Sequence, residues 1–127
     1  MAKLNILVAE DEQTTQALYA KAFSEEQFNC NIVENGELAL LAYDEKKPDI
    51  ILLDISMPIR NGFQVLQEIR EKKQDAATTI IMVTSVTEKE EIVACAKQGI
   101  QGYIIKPFAA NELAGKVTQI YEDAAAK

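Results

Sequence analysis

The sequence predicts a doubly wound α/β domain built on a parallel five-stranded sheet. Three observations carry this. Five short apolar runs alternate with segments of helical spacing. Three of those runs are nearly continuous rather than alternating, which suits strands covered on both faces. The connections are short and marked by turn residues, and strict β–α alternation of that kind implies right-handed crossovers with helices on both sides of the sheet. The 127 residues correspond to about one domain of the usual ~150 residues, so the chain is read as a single domain, 1–127.

The elements follow in order. Ile6-Leu7-Val8-Ala9 is the first strand. Thr15, Leu18, Tyr19, Ala22 and Phe23 then fall at i, i+3, i+4, i+7 and i+8, one face of a helix. Ile32-Val33 is the second strand, and Ala39, Leu40 and Tyr43 repeat the helical spacing on a second segment after an Asn35-Gly36 turn. Lys47-Pro48-Asp49 turns the chain into Ile50-Ile51-Leu52-Leu53, the third strand. Asn61-Gly62 precedes a third helix on Val65, Leu66 and Ile69. Ile80-Ile81-Met82-Val83 is the fourth strand, and Ile92, Val93 and Ala96 mark the fourth helix, with Glu88 to Glu91 as its solvated acidic start. Gly99 and Gly102 lead into Tyr103-Ile104-Ile105, the fifth strand, and Leu113, Val117, Ile120 and Tyr121 give the last helix after Pro107.

Composition narrows the chemistry. Thirteen Lys and Arg against twenty Asp and Glu leave a formal charge of −7, which argues against nucleic acid as the main partner. No apolar run approaches the ~18 residues of a membrane helix, and Met1-Ala2-Lys3-Leu4 lacks a signal-peptide core, so no membrane partner and a cytoplasmic location are expected. Cys30 and Cys95 form no CxxC pair and are expected to be buried small apolar residues. The chain contains no histidine, which removes Ser-His and Cys-His nucleophile pairs and every His-containing metal site. Any metal must be a hard cation on oxygen ligands, such as Mg²⁺ or Ca²⁺.

In a doubly wound fold, ligands bind beyond the carboxyl ends of the strands, where the strand order reverses. Glu10, Asp11 and Glu12 follow strand one, Asp54 ends strand three, Thr84-Ser85 ends strand four and Lys106-Pro107 ends strand five. Crowded carboxylates repel one another, and a divalent cation relieves this. Asp54 leaves a buried strand, so its carboxylate is held rigidly, and beside a metal it can attack phosphorus and carry an acyl phosphate. Phosphoryl transfer needs positioning and neutralisation of the equatorial oxygens, which Mg²⁺, the Lys106 ammonium and the Thr84 hydroxyl could supply. Each residue also has a plain structural role open to it. The acids after strand one suit a helix N-terminus, Asp54 could be a turn residue, Thr84 a helix cap, Lys106 an exposed charge and Tyr103 core packing.

Four segments together resemble the bacterial response-regulator receiver family: Ile6 to Glu12, Asp49 to Pro58 with Gly62, Ile81 to Ser85, and Gly102 to Phe108. The resemblance implies a (βα)5 flavodoxin-like three-layer sandwich of strand order 2-1-3-4-5. It implies that Asp54 is the phosphoacceptor. Asp11 would bind Mg²⁺ directly and Glu10 through water, with Asp54 and the backbone carbonyl of Ser56 completing the protein's share. Thr84 and Lys106 would contact the phosphoryl group, and Tyr103 would be the switch aromatic that turns inward as Thr84 moves. The Lys106-Pro107 bond would be cis. Glu10 stands where Asp is commoner, and Asn61 replaces a frequent Asp. Ser56 and Val86 occupy positions that tune loss of the phosphoryl group. Val86 cannot orient an attacking water, so a phosphoryl lifetime that is not especially short is expected.

The resemblance also implies a sensor histidine kinase as phosphoryl donor and a monomeric switch, not an enzyme acting on other substrates. If this is the full natural chain, no output module is expected after helix five, and a downstream protein target is expected on the helix 4–strand 5–helix 5 face, roughly Glu88 to Tyr121. A chemotaxis-type output competes with a phosphorelay carrier and with a receiver excised from a larger regulator. Gln101-Gly102 lacks the acidic residue usual in receivers that dimerise to bind DNA. A haloacid-dehalogenase-type phosphatase would need an acid two residues after Asp54, where Ser56 stands. A flavodoxin needs a hydroxyl- or glycine-rich loop after strand one, and a P-loop needs GxxxxGK[ST], which is missing.

Overall fold

A computed structural model describes residues 3–126; the leader reading at Met1-Ala2 and the terminal Lys127 lie outside them. The chain runs β1 (Leu4–Ala9), α1 (Gln13–Ala22), β2 (Phe28–Val33), α2 (Gly36–Lys46), β3 (Ile50–Leu53), α3 (Gly62–Gln67) continued by a π-helical turn (Glu68–Lys72), β4 (Thr79–Thr84), α4 (Lys89–Gln98), β5 (Gly102–Ile105) and α5 (Ala110–Ala125). The strands form one parallel sheet of order β2-β1-β3-β4-β5, as expected. Among the described residues no helix is long and apolar enough to cross a membrane.

The central strands β1, β3 and β4 are largely apolar on both faces because the sheet has a core on either side. Leu7, Ala9, Ile51, Leu53, Ile80 and Met82 face α2, α3 and α4, packing on Ala39, Leu40, Val65, Leu66, Ile69 and Cys95. Ile6, Val8, Ile50, Leu52, Ile81 and Val83 face the other way, onto Tyr19 and Phe23 of α1 and Leu113 and Val117 of α5. Burial of side chains of this size contributes about 1.5–3 kcal/mol each.

The helix starts are specified locally. The Asn35 side chain accepts from the Leu38 amide at 2.8 Å and caps α2. Asn61 and Gln64 form a reciprocal capping box that starts α3. This is the role of the asparagine that replaces a commoner aspartate. The N-cap of α4 is Glu88, so Thr84 is not a helix cap.

Two expectations are corrected. Strand two begins four residues before Ile32, because β2 is an edge strand whose Asn29 and Asn31 tolerate water. Cys95 is fully buried, but Cys30, on that same edge strand, is only half-buried.

The register places the ends of β2, β1 and β3 level with one another, and β4 and β5 run two residues further, to Thr84 and Ile105. Ala9 pairs with Val33 on one side and Leu53 on the other. The ladder then continues one residue further, onto the candidate site itself. The Glu10 amide donates to the Val33 carbonyl (2.9 Å), the Asp54 amide to the Ala9 carbonyl (3.3 Å) and the Lys106 amide to the Thr84 carbonyl (2.9 Å). The backbones that carry these three side chains are therefore extensions of the sheet rather than free loops.

Candidate functional site

The carboxyl edge of the sheet brings Glu10, Asp54 and Lys106 into direct contact. The Lys106 Nζ lies 2.5 Å from Glu10 Oε1 and 2.5 Å from Asp54 Oδ2. Glu10 is 1% exposed and Asp54 6%, so two carboxylates share one ammonium in a nearly dry pocket. Lys106 is thus not a free surface charge; its side chain is mostly buried. Burial pushes the Glu10 carboxyl above its ordinary value, and the hydrogen bond from Lys106 only partly offsets this. Burial also pulls on Lys106, downward, but the Asp54 and Glu10 carboxylates outweigh it and hold the ammonium above its ordinary value.

The remaining carboxylate oxygens are held by backbone. Asp54 Oδ1 accepts from the Ser56 amide at 3.1 Å, so Asp54 is at once a turn residue and a site residue. Glu10 Oε2 accepts from the Glu12 amide at 3.2 Å, and Gln16 Nε2 donates to the Glu10 carbonyl at 2.6 Å, tying the loop to α1. Gly62 sets the loop after β3 from below. A Cβ there would meet the Asp54 carbonyl oxygen at 2.2 Å, so only glycine lets α3 begin this close to the Asp54 backbone. The sequence marks Gly62 as a turn signal; its steric role under Asp54 has no signature in residue order.

Asp11 is exposed beside the buried pair, and Glu10, Asp11 and Asp54 each present an oxygen within 4.8 Å of the others. Three carboxylates against one ammonium leave an excess of negative charge, and an all-oxygen donor set suits a hard divalent cation. The residues present therefore fit Mg²⁺. Ser56 is exposed, with its amide committed to Asp54.

Thr84 is fully buried at the end of β4, and its Oγ1 accepts from the Val86 amide at 3.3 Å. Tyr103 is half-buried against the core on the α2–α4 side, and its hydroxyl donates to the Val86 carbonyl at 2.8 Å. Burial pushes the phenol up to about 12, so it stays a donor at neutral pH. Thr84 and Tyr103 thus both grip Val86, one through its amide and the other through its carbonyl. The Lys106-Pro107 bond is cis, as the resemblance implied.

Comparison with known proteins gives this arrangement a family. The model of the response regulator receiver domain matches residues 6–118. The chain is 39% identical over 108 residues to the chemotaxis protein CheY of Halobacterium salinarum, covering 85% of this chain and 88% of that protein. It is 38% identical over 112 residues to the transcriptional regulatory protein ResD of Bacillus subtilis, covering 88% of this chain but 45% of that protein. The chain thus spans most of the archaeal relative and less than half of the transcriptional one. Among solved structures, the receiver domain of the Francisella response regulator 1452 superposes with a TM-score of 0.84 at 25% identity, covering 95% of this chain and 98% of that one. A CheY-like receiver protein of Methanospirillum hungatei reaches a TM-score of 0.89 at 21% identity with 98% of both chains covered, a likeness of fold. The strand order, the buried carboxylates and the matched residues 6–118 lead to one conclusion: the chain belongs to the response regulator receiver domain family.

Proposed function

We propose that the chain is a phosphorylation-activated signalling switch that accepts a phosphoryl group on Asp54 from the phosphohistidine of a sensor histidine kinase. The observation that carries this is the Lys106 ammonium held between Asp54 and Glu10 in a pocket with an excess of carboxylate oxygens. An Asp54 carboxylate oxygen attacks phosphorus, the P–N bond to the donor imidazole breaks, and its electron pair leaves with the imidazole nitrogen. Lys106 is placed to follow the incoming phosphoryl oxygens, because its Nζ already touches the attacking group. Thr84 lies at the adjoining strand end, where its hydroxyl would donate to a phosphoryl oxygen. Mg²⁺, held by Asp11, Asp54, the Ser56 carbonyl and, through water, Glu10, would neutralise charge that develops on the phosphoryl oxygens. The histidine absent from this chain then belongs to its partner.

The output we infer is protein binding on the α4–β5–α5 face, of the chemotaxis type, by a monomer. The similarity to a chemotaxis protein over most of that protein's length supports it. Thr84 and Tyr103 converge on Val86 at the start of this face, so a shift of Thr84 toward phosphate would reach Tyr103 through one residue. The test is incubation with acetyl phosphate with and without Mg²⁺, followed by intact mass and a timed chase. An acid-labile adduct that needs Mg²⁺ and decays slowly is expected. An adduct indifferent to chelator, or steady turnover of phosphomonoesters, would contradict the switch and favour a phosphatase. A pull-down with and without beryllofluoride then tests the output face.

A further inference from the structure

Lys106 stands on a short segment between β5 and α5 that has few fixings of its own. The strand ends at Ile105, and the Lys106 amide makes one more ladder bond, to the Thr84 carbonyl at 2.9 Å. Pro107 follows and has no N–H to donate. Ala109 then starts α5 without a side-chain oxygen to cap it. Residues 107–109 thus contribute little to fixing their own backbone, and the Lys106 side chain is a flexible four-carbon stem. Its Nζ is nevertheless held against both Glu10 and Asp54.

The fixing comes from α1. Phe108, two residues after Lys106, packs on the ring of Tyr19 with centres 5.0 Å apart and planes tilted by 41°. Tyr19 is fully buried and lies parallel to Phe23 at 6.5 Å, and Phe23 meets Phe28 edge-on at 5.2 Å. Tyr19 therefore cannot give way when Phe108 presses on it. Burial, with the Glu10 and Asp54 carboxylates adding to it, holds the phenol far above its ordinary range, so the ring acts uncharged. The same helix is tied to the carboxylate side of the site, because Gln16 Nε2 donates to the Glu10 carbonyl at 2.6 Å. Tyr19 stands three residues after Gln16, on the same side of the helix. One rigid turn of α1 thus reaches Glu10 at one end and the segment carrying Lys106 at the other.

We propose that Tyr19 is a positioning residue for phosphoryl transfer, whose ring braces Phe108 and so sets the Lys106 ammonium between Glu10 and Asp54, a role that rests on the reading of Asp54 as phosphoacceptor. An aliphatic side chain at this position would still fill the core between β1 and α5. It would not match the face of Phe108, and the segment after Lys106 would then settle against a smaller neighbour. Electrostatic help at a reacting group depends on placement, and a shift of about 1 Å can cost about a hundredfold in rate. The plain alternative is that Tyr19 only fills the core. In that case a smaller side chain lowers stability and leaves the ammonium where it is.

The test is the initial rate of labelling by acetyl phosphate at saturating Mg²⁺, read by intact mass, on the wild type, Tyr19→Leu, Tyr19→Phe and Phe23→Leu. Urea unfolding gives the stability of each, and a calorimetric titration gives its Mg²⁺ affinity. Phe23 is the control, because it is as buried as Tyr19 and its ring neighbours are Tyr19 and Phe28. Both leucine variants should lose stability, but only Tyr19→Leu should label about tenfold or more slowly, with Mg²⁺ affinity within about twofold of wild type. Tyr19→Phe keeps the ring and should restore the rate. Labelling of Tyr19→Leu at the wild-type rate, equal slowing in Phe23→Leu, or Tyr19→Phe as slow as Tyr19→Leu would overturn the brace. If Tyr19→Leu does not fold, Phe108→Leu removes the other ring of the pair and is judged by the same outcomes. A wild type that takes no label removes the phosphoacceptor reading beneath the proposal, which is distinct from a labelled wild type with an unimpaired Tyr19→Leu.

Discussion

The two edges of the sheet each carry a cluster of charged groups, and the clusters are built to opposite ends. At the carboxyl edge, Glu10 and Asp54 share one ammonium with Asp11 exposed beside them, so carboxylate is in excess. At the amino edge, Arg70 is spent on three carbonyls and an amide, while Asp75 accepts from Tyr43, from the Thr78 hydroxyl and amide and from the Ala77 amide. The first cluster has unspent capacity for a cation and an incoming group. The second is saturated by its own chain. Charge near a strand end therefore says little about function; the balance of donors against acceptors separates a site from a staple.

Breaking the first cluster should have the largest effect. Asp54→Ala is expected to abolish phosphoryl labelling by acetyl phosphate while the protein stays folded, checked by mass and circular dichroism together. Breaking the second should leave labelling intact and cost stability instead. Arg70→Met orphans the carbonyls of Gly99, Asp75 and Thr78, and a loss of about 2–4 kcal/mol in urea unfolding is expected.

The Asp75 carboxyl sharpens the contrast through pH. Burial would raise it, but the hydrogen bonds from Thr78 and Tyr43 hold it well below its ordinary 3.8. A group depressed in the folded state contributes stability that is present above its unfolded value and lost as pH falls below it. Asp75→Asn should therefore weaken the domain at neutral pH and flatten the loss of stability below about pH 4. Paired urea titrations at neutral and acid pH would check this.

The smallest effect lies between the edges. Ile59, in the loop after Asp54, is 73% exposed yet adopts φ 69°, a region that β-branched residues avoid. Ile59→Gly is expected to raise stability by about 1 kcal/mol, read as a higher melting temperature, without altering phosphoryl labelling.

Much of the fold is legible in the residue order because the sheet is covered twice. Continuous runs such as Ile50 to Leu53 leave few alternatives to a buried parallel strand. The strand ends follow directly, and with them Glu10, Asp54, Thr84 and Lys106. What is not legible is what depends on partners far along the chain. Lys106 meets Glu10 and Asp54 across 96 and 52 residues, so its burial could not be told from a surface lysine by spacing alone. The spacing of Val65, Leu66 and Ile69 fits an ordinary helix, and the π turn after Gln67 is visible only with the carbonyls that Arg70 reaches. The edge strand β2 was half hidden because one of its faces is allowed to be polar.

The central claim is that Asp54 accepts a phosphoryl group, and intact mass after incubation with Mg²⁺ and acetyl phosphate tests it most directly. The account predicts one acid-labile phosphoryl adduct on the wild-type chain and none on Asp54→Ala. No adduct on the wild type, or the same adduct on Asp54→Ala, would contradict it.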